Sequence, residues 1–281
     1  MAPSKRFTKP RILIFSLLAA IVIAAIVIFV MISSKSQITD YQPSEKDNEN
    51  LAWMSKLDDA KMLSELSIPG THNAGATKSF MGISGKCQDI SIKEQLYMGV
   101  RFFDIRLRLE KDKLKVVHSF VDQDLSFESV LEDINAFITE NPTEFLIVSI
   151  KQDADPENST VSFVSKVEEM LLQHDCVSGD RSFPKTLGEA RGKIFILSRY
   201  ENASIGVPAY HGWMDSASFE IGELYVQDKY KITDIAQKTE AFEKALNIAS
   251  LLFFCRLSIF SHFRYKLNIL FGKIHLELFD R

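Results

Sequence analysis

The chain has 281 residues, 33 Lys and Arg against 37 Asp and Glu, a formal net charge of −4 and 46% hydrophobic residues. That length and apolar content suit one large domain with a real core, and the acidic balance argues against a nucleic-acid or other polyanion partner. Three cysteines, Cys87, Cys176 and Cys255, lack metal-ligand spacing and cannot all pair; Cys87 and Cys176 could bridge in an oxidising compartment.

Residues 1–11 form a basic tail with Lys5, Arg6, Lys9 and Arg11, and no acidic residue occurs before Asp40. Residues 12–32 are 21 uncharged, almost wholly apolar positions, enough to span a bilayer. The basic flank predicts a cytoplasmic N-terminus and places the chain beyond residue 32 outside the cytoplasm. A cleaved signal peptide has a shorter apolar core of about 7 to 15 residues, so an uncleaved signal anchor is the expectation. Residues 33–50, rich in Ser, Gln, Asn, Asp and Glu, read as a solvated linker.

Beyond the linker, strand patterns fall at 64–71, 100–109, 114–120, 144–151, 193–199 and 223–228. Helical patterns at 126–140, 160–173 and 232–249 alternate with the later strands. Ser126 reads as the N-cap of the first helix and Asn141-Pro142 as its stop. The alternation predicts a mostly parallel α/β fold of the TIM-barrel-like (β/α) kind over residues 51–243, with site residues at strand carboxyl ends.

Two histidines stand at such ends: His72 after Ser67-Ile68-Pro69-Gly70-Thr71, and His118 after Leu114-Lys115-Val116-Val117. Between them, Asp104, Arg106 and Arg108 share one face of a strand by alternation. One imidazole to take a proton, one to give one, and a guanidinium to neutralise phosphate oxygens suit phosphoryl transfer. A strand-end histidine is more often a structural hydrogen-bonding group, and an Asp-x-Arg pair more often a local ion pair, so the combination carries the argument.

The combination resembles the X domain of the phosphatidylinositol-specific phospholipase C family in its bacterial single-domain form. The matching segments are Ser67-Ile68-Pro69-Gly70-Thr71-His72, Phe103-Asp104-Ile105-Arg106, Val117-His118, Ser149-Ile150-Lys151, Ile196-Leu197-Ser198-Arg199-Tyr200 and Val226-Gln227-Asp228-Lys229-Tyr230. The resemblance implies cleavage of phosphatidylinositol or a related inositol lipid to diacylglycerol and inositol 1,2-cyclic phosphate at a membrane. His72 would be the general base on the inositol 2-hydroxyl and His118 the general acid on the diacylglycerol oxygen. Arg106 would hold the phosphate and Asp104 support the pocket. Lys151, Arg199 and Asp228 would contact inositol hydroxyls, with Tyr230 as an aromatic platform under the ring. No cofactor is implied. Calcium, which serves the eukaryotic branch, is disfavoured because the guanidinium of Arg106 would repel a divalent cation.

Two departures from the family pattern stand out. Asn73 occupies a position where bacterial relatives usually carry an Asp coupled to the general acid, and an amide cannot raise an imidazole's pKa by charge. Residues 244–281 match no family block, among them the one whose carboxylate orients the general base. They hold six Lys and Arg against two Asp and Glu, whereas residues 34–243 hold 23 against 35. A barrel incomplete at its C-terminal end is therefore expected. The break fits an altered reading frame or early stop near residue 245, or else a genuine membrane-contacting tail. Only Gly272-Lys273 separates the two final apolar runs, which suit a hairpin rather than two parallel barrel strands. The departures keep open an alternative of another class, a catalytically impaired protein that binds an inositol-lipid or glycan head group without turnover.

Overall fold

The structure, a computed structural model, describes residues 22–23, 49–79, 85–232, 234–251 and 257–260. Apart from residues 22–23, the expected transmembrane segment lies outside these residues, as do most of the linker and tail. Within the described residues no helix is long and apolar enough to cross a membrane.

Strands β1 (Gly70–Thr71), β2 (Phe102–Glu110), β3 (Lys113–His118), β4 (Val121–Ser126), β5 (Leu146–Gln152), β6 (Val177–Ser178), β7 (Ile194–Arg199) and β8 (Val207–Pro208) form one open sheet. Its order is β4-β3-β2-β5-β7-β6, with β1 beside β2 and β8 beside β7. The β2–β5 and β5–β7 pairs are parallel. The β2–β3–β4 meander is antiparallel, and β4 occupies a stretch between the expected strand at 114–120 and the helix at 126–140 where the sequence pattern shows no strand. Lys111 and Asp112, both at positive φ, turn β2 directly into β3, so no crossover helix intervenes. The strand expected over 64–71 shrinks to two residues. Leu63–Glu65 is a 3-10 turn, and Pro69, lacking an N–H, contributes only its carbonyl, to the amides of Arg101 and Phe102.

Helices α1 (Ile92–Tyr97), α2 (Phe127–Glu140), α3 (Phe163–Leu171) and α4 (Leu187–Ala190) come next in chain order. In α2 the Ser126 hydroxyl accepts from the Ser129 amide, and Phe127, Val130, Leu131, Ile134, Phe137 and Ile138 form one buried face. A second sheet pairs β9 (Ser218–Ile221) antiparallel and β11 (Leu257–Phe260) parallel to β10 (Leu224–Gln227); α5 (Ile235–Leu251) connects β10 to β11. The helix expected over 232–249 is α5, and the hairpin expected around Gly272-Lys273 lies outside the described residues. Among the described residues no strand pairing joins the two sheets, so the TIM-barrel-like wall is open.

Alternation along the central strands sorts side chains into two cores. Phe103, Ile105, Leu107, Val148, Ile150, Ile194 and Ile196 pack against α2 and α3. Ile147, Phe195, Leu197, Leu224 and Val226 fill the opposite, inner side. Continuing by twos along that inner face, Phe102 leads to Asp104 and Arg106, Ile147 to Ser149 and Lys151, and Phe195 to Leu197 and Arg199. The inner face therefore changes from apolar to charged within two residues, and that boundary forms the floor of the site. β8 approaches β7 closely enough that only glycine fits at Gly206: at φ +80, an added Cβ would lie 2.5 Å from the Ile196 carbonyl oxygen.

Below the site, Arg101 and Glu144, both fully buried, pair at 2.9 Å. Arg101 also donates to the carbonyls of Leu96, Val100 and Leu51, while Glu144 accepts from the Met54 amide. Burial pushes the Arg101 pKa down and the Glu144 pKa up despite their mutual attraction. The pair thus fixes where the chain before β2 meets the start of β5, at a desolvation cost.

Candidate active site

Strand register assembles the cations. Arg106 is opposite Lys151, and Lys151 is opposite Arg199, so three neighbouring strands present one positive row. Two carboxylates separate the charges. Asp104 Oδ2 accepts from Arg106 Nε at 3.3 Å, and its Oδ1 lies 3.5 Å from an Arg199 guanidinium nitrogen. Asp153 Oδ1 accepts from Lys151 at 2.7 Å and lies 3.5 Å from Arg106, while Oδ2 accepts from the Ser119 amide. Burial opposes both charges, but for Asp104 the cations and His72 outweigh it, and for Asp153 Lys151 and Arg106 do. Both carboxyls are held below the usual carboxylate range.

The parallel pairing of β1 with β2 carries His72 to the edge of this row. His72 Nδ1 is 3.1 Å from Asp104 Oδ2, which also accepts from the Asn73 amide at 3.2 Å. An ionised carboxylate only accepts, so Nδ1 of His72 bears the hydrogen and Nε2 offers its lone pair. The Asn73 side-chain nitrogen donates to that lone pair at 3.0 Å. Asn73 sits at φ 47, a left-handed conformation that Asn tolerates, and the turn folds its amide back over the imidazole. Among the described residues, the carboxylate on His72 Nδ1 is thus supplied by β2.

His118 ends β3, whose antiparallel register brings it back alongside the middle of β2. Its Nδ1 is 2.9 Å from the Gly85 carbonyl and 3.7 Å from Cys87 Sγ. The Cys87 contact raises the His118 pKa against burial, and the Gly85 carbonyl adds to the rise. Cys87 also accepts from the Asn73 side-chain nitrogen at 3.5 Å. Burial works to raise its thiol pKa, yet His118, Asn73 and Arg106 bring it below the ordinary value. Cys87 and Cys176 are both free: Cys176 donates to Asn135 Oδ1 while Cys87 faces the site, so the conceivable bridge is absent.

The remaining expected residues form the rim. The Arg199 guanidinium lies 3.6 Å from the centre of the Trp213 ring, whose Nε1–H donates to Asp228 at 3.0 Å. Tyr230 donates its hydroxyl to Asp215, and Lys231 pairs with the same carboxylate. His72, Asn73, Asp104, Arg106, His118, Lys151 and Arg199 are therefore linked in one network. Asp228 reaches it through Trp213, and Tyr230 stands further out.

Sequence reasoning missed Cys87, Asp153, Trp213 and Asp215. Asp153 was accessible by alternation from Lys151. Cys87, which follows no periodic pattern, was not. Among the described residues no group of three or more potential metal ligands converges. The acidic groups nearest the histidines are spent on Arg106, Lys151 and Arg199, so the donor set does not suit a resident divalent cation.

Fold and site together define an open, TIM-barrel-like α/β protein with paired imidazoles over a cationic floor. The family model for the phosphatidylinositol-specific phospholipase C X domain matches residues 60–200, half of the chain, and the chain belongs to that family. It is 32% identical over 207 residues to a 1-phosphatidylinositol phosphodiesterase of Staphylococcus aureus, covering 66% of this chain and 65% of the relative. It is 34% identical over 158 residues to the Listeria monocytogenes protein described in the same words, covering 52% and 48%. The chain thus spans less than two thirds of these relatives. A solved double mutant of the Staphylococcus aureus phosphatidylinositol-specific phospholipase C aligns with a TM-score of 0.69 at 28% identity, covering 77% of this chain and 78% of that one.

Proposed function

We propose that this chain is a membrane-anchored phosphodiesterase that converts phosphatidylinositol to diacylglycerol and inositol 1,2-cyclic phosphate. The observation that carries the reading is the pair of contacts that engage Nδ1 of each imidazole, from which the tautomers follow. His72 holds its hydrogen on Nδ1 against Asp104 and offers Nε2 as a base. His118 has Nδ1 engaged inward, so Nε2 is the nitrogen that remains to give a proton. In the reaction, His72 takes the proton of the inositol 2-hydroxyl, whose oxygen attacks phosphorus. The bond to the diacylglycerol oxygen breaks, and His118 protonates that oxygen. A neighbouring hydroxyl is a pre-positioned nucleophile, so no covalent enzyme intermediate is required. Arg106 neutralises the phosphate, with Lys151 and Arg199 beside it in the cationic row; Asp104 keeps Arg106 and Arg199 in place and Asp153 keeps Lys151. Lys151, Arg199 and Asp228 are assigned to inositol hydroxyls and Tyr230 to the ring face. The apolar segment 12–32, with its basic flank, would hold the site on the extracytoplasmic side of the membrane.

Replacing His118 by Leu should lower kcat by about 10²- to 10⁴-fold, the usual contribution of a general acid, with the fold retained. Release of cyclic inositol phosphate from labelled phosphatidylinositol measures it, and near-normal turnover would remove His118 from the mechanism. One contact favours a second reading, head-group binding without turnover: the Asn73 amide occupies the lone pair of His72. Saturable binding of phosphatidylinositol vesicles with no cyclic product from the unaltered chain would select it.

A further inference from the structure

A general acid must be protonated on the nitrogen facing the leaving group and held in orientation through the other. For His118 that second nitrogen, Nδ1, meets two atoms, the carbonyl oxygen of Gly85 at 2.9 Å and the sulfur of Cys87 at 3.7 Å. A carbonyl only accepts, so Nδ1 bears a hydrogen, and the sulfur beside it faces a donor. The sulfur faces a second donor on its other side, the Asn73 side-chain nitrogen at 3.5 Å. Asn73 is 2% exposed and its Oδ1 has no hydrogen-bond partner. The amide nitrogen, not the oxygen, is the atom that meets Cys87 and His72. Two donors converging on one sulfur, with the guanidinium of Arg106 near enough to act on it, favour negative charge there.

We propose that Cys87 is a positioning residue for His118, its sulfur serving as the anionic partner that keeps the imidazole protonated and its Nε2 directed at the leaving oxygen. This rests on the general-acid assignment above. Asn73 then has a purpose that a carboxylate there would defeat, since Asp at 73 would repel a thiolate and could not donate to it. The other charged groups around the pair are Arg106 on β2, whose charge opposes protonation of His118, and Asp104 and Asp153, which are engaged by Arg106. His72 lies on the far side of Asn73.

The coupling is reciprocal, so either partner reports it. The first arm follows iodoacetamide alkylation of Cys87 against pH in the full chain, by peptide mass spectrometry, with and without His118→Asn. The unaltered chain should show a midpoint below that of an ordinary thiol, and His118→Asn should move it upward. The second arm measures lipid cleavage in mixed micelles by Cys87→Ala and Cys87→Asp. Cys87→Ala should keep KM within about twofold and shift the descending limb of the kcat–pH profile to lower pH. Above that limb, kcat falls about tenfold for each pH unit of displacement. Cys87→Asp should restore the limb. An alkylation midpoint indifferent to His118→Asn, or a limb unmoved by Cys87→Ala, overturns the proposal. Absence of cyclic product from the unaltered chain would instead defeat the phosphodiesterase reading, and the alkylation arm would still decide whether Cys87 and His118 are coupled.

Discussion

Replacing Asp104 by Asn keeps the shape of the side chain but removes its charge and one of its two acceptor oxygens. Oδ2 receives three donors, His72 Nδ1, the Asn73 amide and Arg106 Nε, while Oδ1 faces Arg199. If the amide keeps its oxygen toward the three donors, its NH₂ is pressed against a guanidinium. If it turns over, its NH₂ meets His72 Nδ1 and drives the imidazole into the wrong tautomer. The same carboxylate-to-amide change beside a catalytic histidine in a serine protease costs about 10⁴-fold in kcat. His72 has 45% of its side chain exposed, so water can partly replace the lost partner, and a loss of about 10²- to 10³-fold is expected here. That corresponds to about 2.7 to 4 kcal/mol of transition-state stabilisation. KM should stay constant or fall, because neutralising Asp104 leaves the cationic row more attractive to a phosphodiester. Initial rates of cyclic inositol phosphate formation across lipid concentrations give both parameters. A kcat within fivefold of the unaltered chain, or a loss expressed only in KM, would refute the role given to Asp104.

Arg101→Met should destabilise the fold by about 3 to 5 kcal/mol, because it strands Glu144 as a buried, unpaired charge. Urea unfolding should show the Arg101→Met, Glu144→Leu double variant recovering much of that loss, and strict additivity would count against the pair. Trp213→Leu removes both the ring under Arg199 and the donor to Asp228, so KM for phosphatidylinositol should rise several-fold with kcat less affected; an unchanged KM would take Trp213 out of head-group recognition. Asp104 and Asp153 have folded pKa values below their unfolded ones, so each contributes stability that is present above about pH 4 and is lost as pH falls toward the folded value. Asp153→Asn should therefore flatten the decline in urea midpoint between pH 5 and pH 3, and parallel curves for the two chains would contradict this.

The sequence alone determined the α/β class and the span of α2 from its Ser126 cap to Asn141. Those readings depend on short-range rules of periodicity, capping and alternation that a single stretch of chain contains. It also singled out Asp104 and Arg106 as sharing a face. It did not reveal that Arg106, Lys151 and Arg199 stand in one row, because register between strands far apart in the chain is decided by how the sheet packs. Nor did it reveal that Asp104 meets His72, since the β1–β2 pairing brings the two together from 32 positions apart in the chain. Cys87 carried no pattern at all; only the turn that brings its segment against the end of β3 places a thiol beside an imidazole. Local chemistry is written in the order of residues, whereas the meeting of groups with different partners is settled by which faces the folded core forces together.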